Sequence, residues 1–370
     1  MAGTVLITGG AGFIGSHLSD ALLTHGYSVR VLDNLTPQVH GDVGRPAYLN
    51  PDVELVEGDV RDPEAVARAL EGVDAVVHLA ARVGVGQSMY EISGYAETNS
   101  LGTAVLLEAL LDRPVERLLV ASSMSVYGEG LYRNAGGLLV PGEARPREQL
   151  ERGEWELVDR DGTPLEPVPT PESKPPALSS VYALTKHDQE RLCLMFGAAY
   201  GIPVTALRIF NTYGPRQALS NPYTGVLAIF ATRLLNRRPP FVYEDGRQRR
   251  DFVSVSDVAR ACRLALESDR AGGHVLNVGS GRSSSVLDVA RQLASVLGVE
   301  IEPELSGKSR AGDVRHCFAD ISRASELLGY EPDTTLEAGL AELAEWLSGQ
   351  PAVDRVDAAT EELSSRGLTI

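Results

Sequence analysis

A glycine run near the amino terminus does most to restrict what this chain can fold into. Thr8-Gly9-Gly10-Ala11-Gly12-Phe13-Ile14-Gly15 connects an apolar run, Thr4-Val5-Leu6-Ile7, to a stretch whose apolar residues Phe13, Ile14, Leu18, Ala21 and Leu22 recur at helical spacing. A strand that ends in glycines and leads straight into a helix aims backbone N–H groups at one spot, which suits a pyrophosphate. The helix is predicted to stop at Gly26, and a second strand, Ser28-Val29-Arg30-Val31-Leu32, ends at Asp33-Asn34. That acid lies about 20 positions beyond the glycines, where it can accept from both adenosine ribose hydroxyls. It would repel a 2′-phosphate, so the pattern favours NAD over NADP. The alternative is that Asp33 only caps a turn.

Further strands are predicted at Val53-Glu54-Leu55-Val56-Glu57, Asp74-Ala75-Val76-Val77-His78-Leu79, Arg117-Leu118-Leu119-Val120-Ala121, Ile202-Pro203-Val204-Thr205-Ala206-Leu207-Arg208-Ile209 and His274-Val275-Leu276-Asn277-Val278. Helical stretches separate the early ones, so a doubly wound parallel α/β sheet is expected, with its ligand crevice at the carboxyl ends of the strands. Asp59 and Val60 stand at such an end. Asp59 can accept from an adenine amino group, or it belongs only to the turn before Asp62-Pro63. Leu79, Ala80 and Ala81 are small enough to let a cofactor pass close to the backbone. Ser122-Ser123-Met124-Ser125 places hydroxyls toward a ligand. His78, inside an apolar strand, reads as a core histidine rather than a catalyst. Asn99, in a helix expected over 97–111, invites a backbone or loop contact. Helices are also expected over 180–199, 222–236 and 256–267, the last starting at Ser256-Asp257, with small helices and turns beyond the last strand.

Within 180–199, Tyr182-Ala183-Leu184-Thr185-Lys186 puts a phenol and an ammonium at i and i+4, on one helix face. Together with the upstream glycines this suggests a phenolate base beside a bound dinucleotide. Desolvation raises a tyrosine's pKa, so a nearby cation must outweigh it. Arg247, Arg249 and Arg250 form a basic cluster, and Arg310-Ala311-Gly312-Asp313 offers a further phosphate contact, in a chain of net charge −16. That charge argues against nucleic acid and anionic membrane as partners. No apolar run approaches the roughly 20 residues of a membrane span, and no basic-then-apolar leader precedes the first strand, so a cytoplasmic protein is expected. Cys193, Cys262 and Cys317 lie far apart without metal-ligand spacing and read as reduced packing residues, so no metal is expected. Over 129–179 proline and charge dominate, and only Trp155-Glu156-Leu157-Val158 resembles a strand. This insertion is either a lid over the substrate or a partly ordered excursion.

The pattern resembles the extended short-chain dehydrogenase/reductase family, particularly its nucleotide-sugar epimerases and dehydratases, over residues 3–345 apart from the insertion. The resemblance rests on Thr8-Gly9-x-x-Gly12-Phe13-Ile14-Gly15, Asp33-Asn34, Gly58-Asp59, His78-Leu79-Ala80-Ala81, Asn99-x-x-Gly102-Thr103, Ser122-Ser123-x-x-Val126-Tyr127-Gly128, Tyr182-x-x-x-Lys186, Arg208-x-Phe210-Asn211-x-Tyr213-Gly214-Pro215 and Arg250-Asp251-Phe252. It implies a Rossmann-type doubly wound sheet with a smaller C-terminal α/β substrate lobe. The expected division is 1–207 with 252–276 for NAD, 208–251 with 277–350 for the substrate, and 351–370 as a peripheral helix or tail. It also implies a homodimer joined through 97–111 and 180–199.

Carried over to this sequence, the resemblance makes Tyr182 the base. Lys186 lowers its pKa and orients the nicotinamide ribose, and Ser123 relays the proton. NAD is implied to lie against Gly9, Gly12, Phe13, Ile14, Gly15, Asp33, Asn34, Asp59, Val60, Leu79, Ala80, Ala81, Asn99, Tyr182 and Lys186. A nucleotide-diphosphate sugar is implied against Ser123, Met124, Ser125, Asn211, Arg250, Arg310 and Asp313. Family dehydratases carry Asp-Glu directly after the hydroxyl; Met124 and Ser125 stand there, and neither can replace a carboxylate pair in eliminating water. Residues 217–223 and 249–253 are similar to those of dTDP-L-rhamnose 4-epimerases. Epimerisation at C4 through a transient 4-keto sugar is therefore expected, with a UDP-glucose/UDP-galactose 4-epimerase or a 4-keto-sugar reductase as alternatives.

Overall fold

Side chains alternate along the first strand, β1 (Thr4–Thr8), and this sets the layers of the fold: Val5 and Ile7 pack to one face and Leu6 to the other. The computed structural model describes residues 3–41, 44–219, 221–223, 225–350 and 353–370. Around β1 run β2 (Ser28–Asp33), β3 (Glu54–Glu57), β4 (Ala75–His78), β5 (Arg117–Ser123), β6 (Val204–Ile209) and β7 (Val275–Val278), in the order β7-β6-β5-β4-β1-β2-β3, with every pair parallel. The chain winds outward from β1 to β3 and then back across to β4. The strand order therefore reverses between β1 and β4, where a doubly wound sheet opens its ligand crevice.

Helices cover both faces. On one side α1 (Phe13–Thr24) contributes Leu18 and Leu22, beside Val258, Cys262 and Leu266 of the helix over Val255–Glu267. On the other, α2 (Pro63–Ala69), α3 (Gly102–Asp112) and α4 (Val181–Tyr200) bury Val66, Leu106, Leu110, Cys193 and Phe196 against Leu6, Val76, Leu118 and Val120. All three cysteines are free and buried. A separate apolar cluster joins α5 (Val226–Leu235), the helix here numbered α6 (Val286–Val296) and α7 (Leu336–Leu347) through Phe230, Leu234, Leu293, Leu340 and Leu343. The last two helices have 11 and 12 residues, longer than the small helices expected in this region.

Several local expectations need correction. The helix expected over 97–111 is present, but it follows a helical turn at Ile92–Tyr95 and opens as a π-helical turn over Ala96–Leu101 before α3. Gly102 sits so close to α2's approach that a Cβ there would meet Val60 Cγ1 at 2.6 Å, and the widened turn places Asn99 inward. The helix expected from 222 begins at Val226, because Asn221 Oδ1 accepts from Tyr223 N and holds a turn. Ser254, not Ser256, caps the helix over Val255–Glu267, its Oγ accepting from Ser256 N at 3.2 Å. Trp155-Glu156-Leu157-Val158 forms no strand beyond a single bridge from Val158 to Pro164.

The insertion is neither a lid nor a loose excursion. Leu131–Arg133, Leu139–Pro141 and Glu166–Val168 form an antiparallel sheet, followed by Thr170 bridging to Ala319. Charge fixes it to the rest of the protein. Arg315, fully buried, donates to Glu156, Glu244 and Asp245, while Glu129 accepts from Arg315 N and His316 N. Residues 353–370, expected as a peripheral helix or tail, do form a helix, α8 (Val356–Ser365), but its Ala359 and Leu363 are buried against the rest of the protein. Residues 1–2, 42–43, 220, 224 and 351–352 of the expected divisions, Ser220 among them in the 217–223 stretch, lie outside the described residues.

Candidate active site

The crevice at the β1/β4 switch point widens into a cleft of about 800 Å³. Gly9 and Gly15 are there for the protein's own packing. Gly9 has φ of 69°, and a Cβ on it would lie 2.8 Å from Ala80 N; a Cβ on Gly15 would lie 2.4 Å from Gly10 Cα. Gly12 differs. A Cβ there would meet only Gly9 O, at 3.3 Å, so its side faces the open cleft. No side chain caps α1, whose first N–H groups follow Gly12. This is a cradle that a dinucleotide pyrophosphate fits. Asp33, at the end of β2, accepts from Ala11 N and Leu35 N, both at 3.0 Å, and burial pushes its carboxyl up against those donors. It lines the cleft where a ribose would lie, with His40 Nε2 at 3.7 Å from its Oδ1.

Asn34 Nδ2 donates to Asp59 Oδ2 at 3.1 Å, and both line the cleft. Asp59 is gripped by Arg61, whose hydrogen bonds bring it down to about 2 and keep it an acceptor. Asp62 supplies the α2 cap, accepting from Glu64 N, while Asp59 also holds the turn before it, its Oδ1 accepting from Arg61 N at 2.9 Å. Val60, Phe13, Ile14, Leu79, Ala80 and Ala81 also line the cleft. Asn99 does not. It is fully buried beneath, accepting from Arg82 N at 2.7 Å and donating to Thr185 Oγ1 at 3.0 Å, and so ties the loop after β4 to α4. His78 is the core residue expected: its ring nitrogens lie 2.7 Å from Thr8 Oγ1 and 2.8 Å from Thr103 Oγ1, and burial pulls it down to about 3.

Ser180 caps α4, its Oγ accepting from Ala183 N at 3.1 Å, and one turn later Tyr182 and Lys186 face the cleft. Tyr182 packs edge-on to Tyr95, with its phenol beside Ser123 at the end of β5. Burial pushes the phenol up, and Ser123 pulls the other way. Burial brings Lys186 down to about 8, against Cys193 and Glu190. The Lys186 Nζ donates to Gln189 Oε1 at 2.6 Å, and the tyrosine's shift is set by burial and Ser123.

Past Ser123 the cleft runs along Met124, Ser125 and Asn211 to Arg250, Arg310 and Asp313. Arg250 donates to the carbonyls of Val314 and Arg315, whereas Arg249 lies over the Phe318 ring outside the cleft. Arg310 is held in a two-point pair with Asp313, at 2.9 and 3.1 Å. Of the insertion, only Ser179 reaches the cleft. Sequence reasoning missed Gln38, Gln87 and Asn221, which interlock at its rim, and the inner face of α8, formed by Val356, Ala359, Thr360 and Leu363. That face was legible as an i, i+3, i+4, i+7 repeat. Among the described residues no cluster of histidine, cysteine or carboxylate side chains could hold a metal ion.

A doubly wound sheet, a glycine cradle with an acid beyond it, and a Tyr/Lys pair beside a strand-end serine define a short-chain dehydrogenase/reductase of the extended kind. The chain belongs to the NAD dependent epimerase/dehydratase family, whose profile matches residues 5–279, and it is an NAD-dependent enzyme. It is 39% identical over 353 residues to a dTDP-L-rhamnose 4-epimerase of Burkholderia thailandensis, covering 93% of this chain and 94% of that protein. A UDP-glucose 4-epimerase of Thermotoga maritima solved with UDP-glucose superposes with a TM-score of 0.77 at 33% identity, covering 93% of this chain and 98% of that one. A Thermus thermophilus UDP-glucose 4-epimerase solved with NAD gives 0.75 at 32% identity, covering 94% and 100%.

Proposed function

We propose that the enzyme epimerises a nucleotide sugar at C4, interconverting dTDP-L-rhamnose and dTDP-6-deoxy-L-talose. The observation that carries this is the Tyr182 phenol facing the cleft beside Ser123, with Lys186 one turn behind and Met124 and Ser125 next along the cleft. That arrangement can move a proton at a hydroxyl but has no acid–base pair for elimination after Ser123. Residues 1–207 with 252–276 hold NAD in this reading, and 208–251 with 277–350 hold the nucleotide sugar. Gly12 and the start of α1 take the pyrophosphate, and Asp33 takes the adenosine ribose. Hydride chemistry at C4, removal to leave a 4-keto sugar and return to its opposite face, is supplied by bound NAD. Tyr182 takes the proton of the 4-hydroxyl and gives it back, with Ser123 as relay. Lys186, pinned by Gln189, keeps a positive charge beside the reacting centre below about pH 8. Arg250 and Arg310 bind the diphosphate.

We also propose a homodimer. Leu101 on the π-helical turn, and Leu184 and Met195 on α4, are each more than half exposed, an apolar face on the two helices that the resemblance pairs across subunits. No helix among the described residues is long and apolar enough to cross a membrane. Three buried free thiols support a cytoplasmic location.

The test uses one purified sample. Denaturation should release NAD, and the native protein, with no cofactor added, should form a C4 epimer from dTDP-L-rhamnose. Conversion of UDP-glucose instead would move the assignment to the UDP-glucose/UDP-galactose reaction. An empty protein that consumes a 4-keto sugar only with added NADH or NADPH would make it a reductase and sink the epimerase reading.

A further inference from the structure

The last residues of the chain lie across the substrate half of the cleft and touch both sides of it. At its amino-terminal end α8 is anchored by Asp357, which pairs with Arg233 at 2.5 Å and Arg238 at 2.7 Å. Near its other end Leu363 lies against Gly86, where a Cβ would meet Leu363 Cδ2 at 3.1 Å, and Arg366 stacks over the Tyr90 ring at 4.3 Å. Beyond the helix the chain turns back and pairs with the segment that carries Arg310. Ser309 and Ile370 exchange N–H···O bonds of 3.0 and 2.9 Å, Ala311 N donates to Leu368 O at 2.9 Å, and Arg310 bridges to Thr369. The Arg310 guanidinium sits 4.5 Å over the Tyr243 ring, and Thr360 of α8 stands beside the Tyr243 phenol, pulling it down against its burial.

Each link is local, and their sum is a chain of support. A cation stacked on an aromatic ring is aimed only as well as the ring is held. Here the ring is held by Thr360, and the cation's own backbone by residues 368–370. Val356, Ala359, Thr360 and Leu363 share one helix face, and that face lines the cleft. Among the described residues no hydrogen bond or ion pair joins this helix face to Gly12 or Asp33 of the NAD cradle, while Arg233 and Arg238 hold its amino-terminal end.

We propose that residues 354–370 are part of the substrate site. The α8 face walls the nucleoside diphosphate end, with Thr360 as a positioning residue that holds Tyr243, and through its ring Arg310, for the substrate and not for NAD. This rests on reading the substrate half as a nucleotide-sugar site.

Calorimetric titration of the NAD-loaded enzyme with free dTDP, and with UDP in parallel, tests it. Wild type is compared with a chain ending at Gln350, with Thr360→Val and with Thr360→Ser. The truncation should weaken binding of whichever nucleotide the wild type takes by about tenfold or more. Thr360→Val should weaken it by about threefold and Thr360→Ser restore it, the hydroxyl being the group at issue. NAD content per chain should not change, and in turnover KM should rise more than kcat falls. A truncated chain that binds the nucleotide within about twofold of wild type would overturn the proposal. If the truncated chain does not fold, the Val and Ser variants decide, and equal affinities for both would overturn it. A wild type that takes UDP but not dTDP ends the dTDP assignment and leaves the helix to be tested with UDP. A wild type that takes neither overturns both.

Discussion

Lys186 Nζ donates to Gln189 Oε1 at 2.6 Å, and both side chains are buried. The amide is itself fixed, since its Nε2 lies 2.9 Å from Thr103 Oγ1 and 3.1 Å from His78 Nε2. A fixed amide presents its carbonyl to the ammonium, the form of lysine that burial disfavours. Replacing Gln189 by Leu should lower the Lys186 pKa below its present value of about 8. The alkaline limb of kcat/KM then moves to lower pH, because activity that needs the ammonium is lost as pH rises through that pKa. Gln189→Glu should move the limb the other way. Both should cost about tenfold or more in kcat through misplacement of Lys186. Unmoved limbs in both variants would remove Gln189 from the account.

Gly12 and Gly15 separate cofactor binding from folding. A Cβ on Gly12 would meet only one carbonyl oxygen at 3.3 Å, and its φ of −74° suits alanine. Gly12→Ala should melt near the wild-type temperature and lose most of its NAD, because the methyl occupies the cradle. Gly15→Ala should instead destabilise the fold, since its Cβ would lie 2.4 Å from backbone. Thermal melts and NAD content measured on both variants check this. Equal NAD content in Gly12→Ala and wild type would refute the cradle.

Tyr182→Phe keeps the ring on Tyr95 and removes the phenol oxygen that meets Ser123. Turnover should fall by about 10²–10⁴-fold or more, the range for a lost general base, while bound NAD remains. Ser123→Ala should fall less, as a relay can be replaced by water. Near-wild-type turnover of Tyr182→Phe would exclude it as the base.

What was legible in the sequence was local. The strand runs, the glycines, the acid ending β2 and the i, i+4 Tyr/Lys pair all sit within a few residues of the partner that gives them meaning. What was not legible depends on closure over long distances. Glu129 meets Arg315 N across 186 positions, and no pattern in residues 129–179 announces that partner. The prolines of the insertion left a lid or a partly ordered excursion open, whereas its buried charges hold it in place. Asn99 divides the two kinds of reading: a helical asparagine invites a loop contact, and it bonds Arg82 of the loop after β4, whereas the resemblance placed it against NAD, whose cleft it does not line. The inner face of α8 was periodic enough to find, but only the folded chain shows that it meets the cleft.

The insertion's anchor predicts how the enzyme responds to acid. Hydrogen bonds from His316, at 2.9 Å, and from Arg315 hold Glu156 down to about 2 against burial. An unfolded glutamate titrates near about 4.3. The folded value is the lower one, so the stabilisation is complete above about pH 4.3 and drains away as pH falls toward about 2. Burial pushes His316 below its ordinary value, so the unfolded imidazole protonates first and a further loss begins at milder acidity. Denaturant unfolding should show stability falling through this window, and Glu156→Gln should flatten the lower part of the fall while starting less stable at neutral pH. Arg315→Met should cost about 3 kcal/mol at neutral pH, because it strips the buried Glu244 of one of its two arginines, leaving Arg145 at 2.8 Å. If Glu156→Gln falls as steeply as wild type over that lower range, the anchor is not what acid breaks.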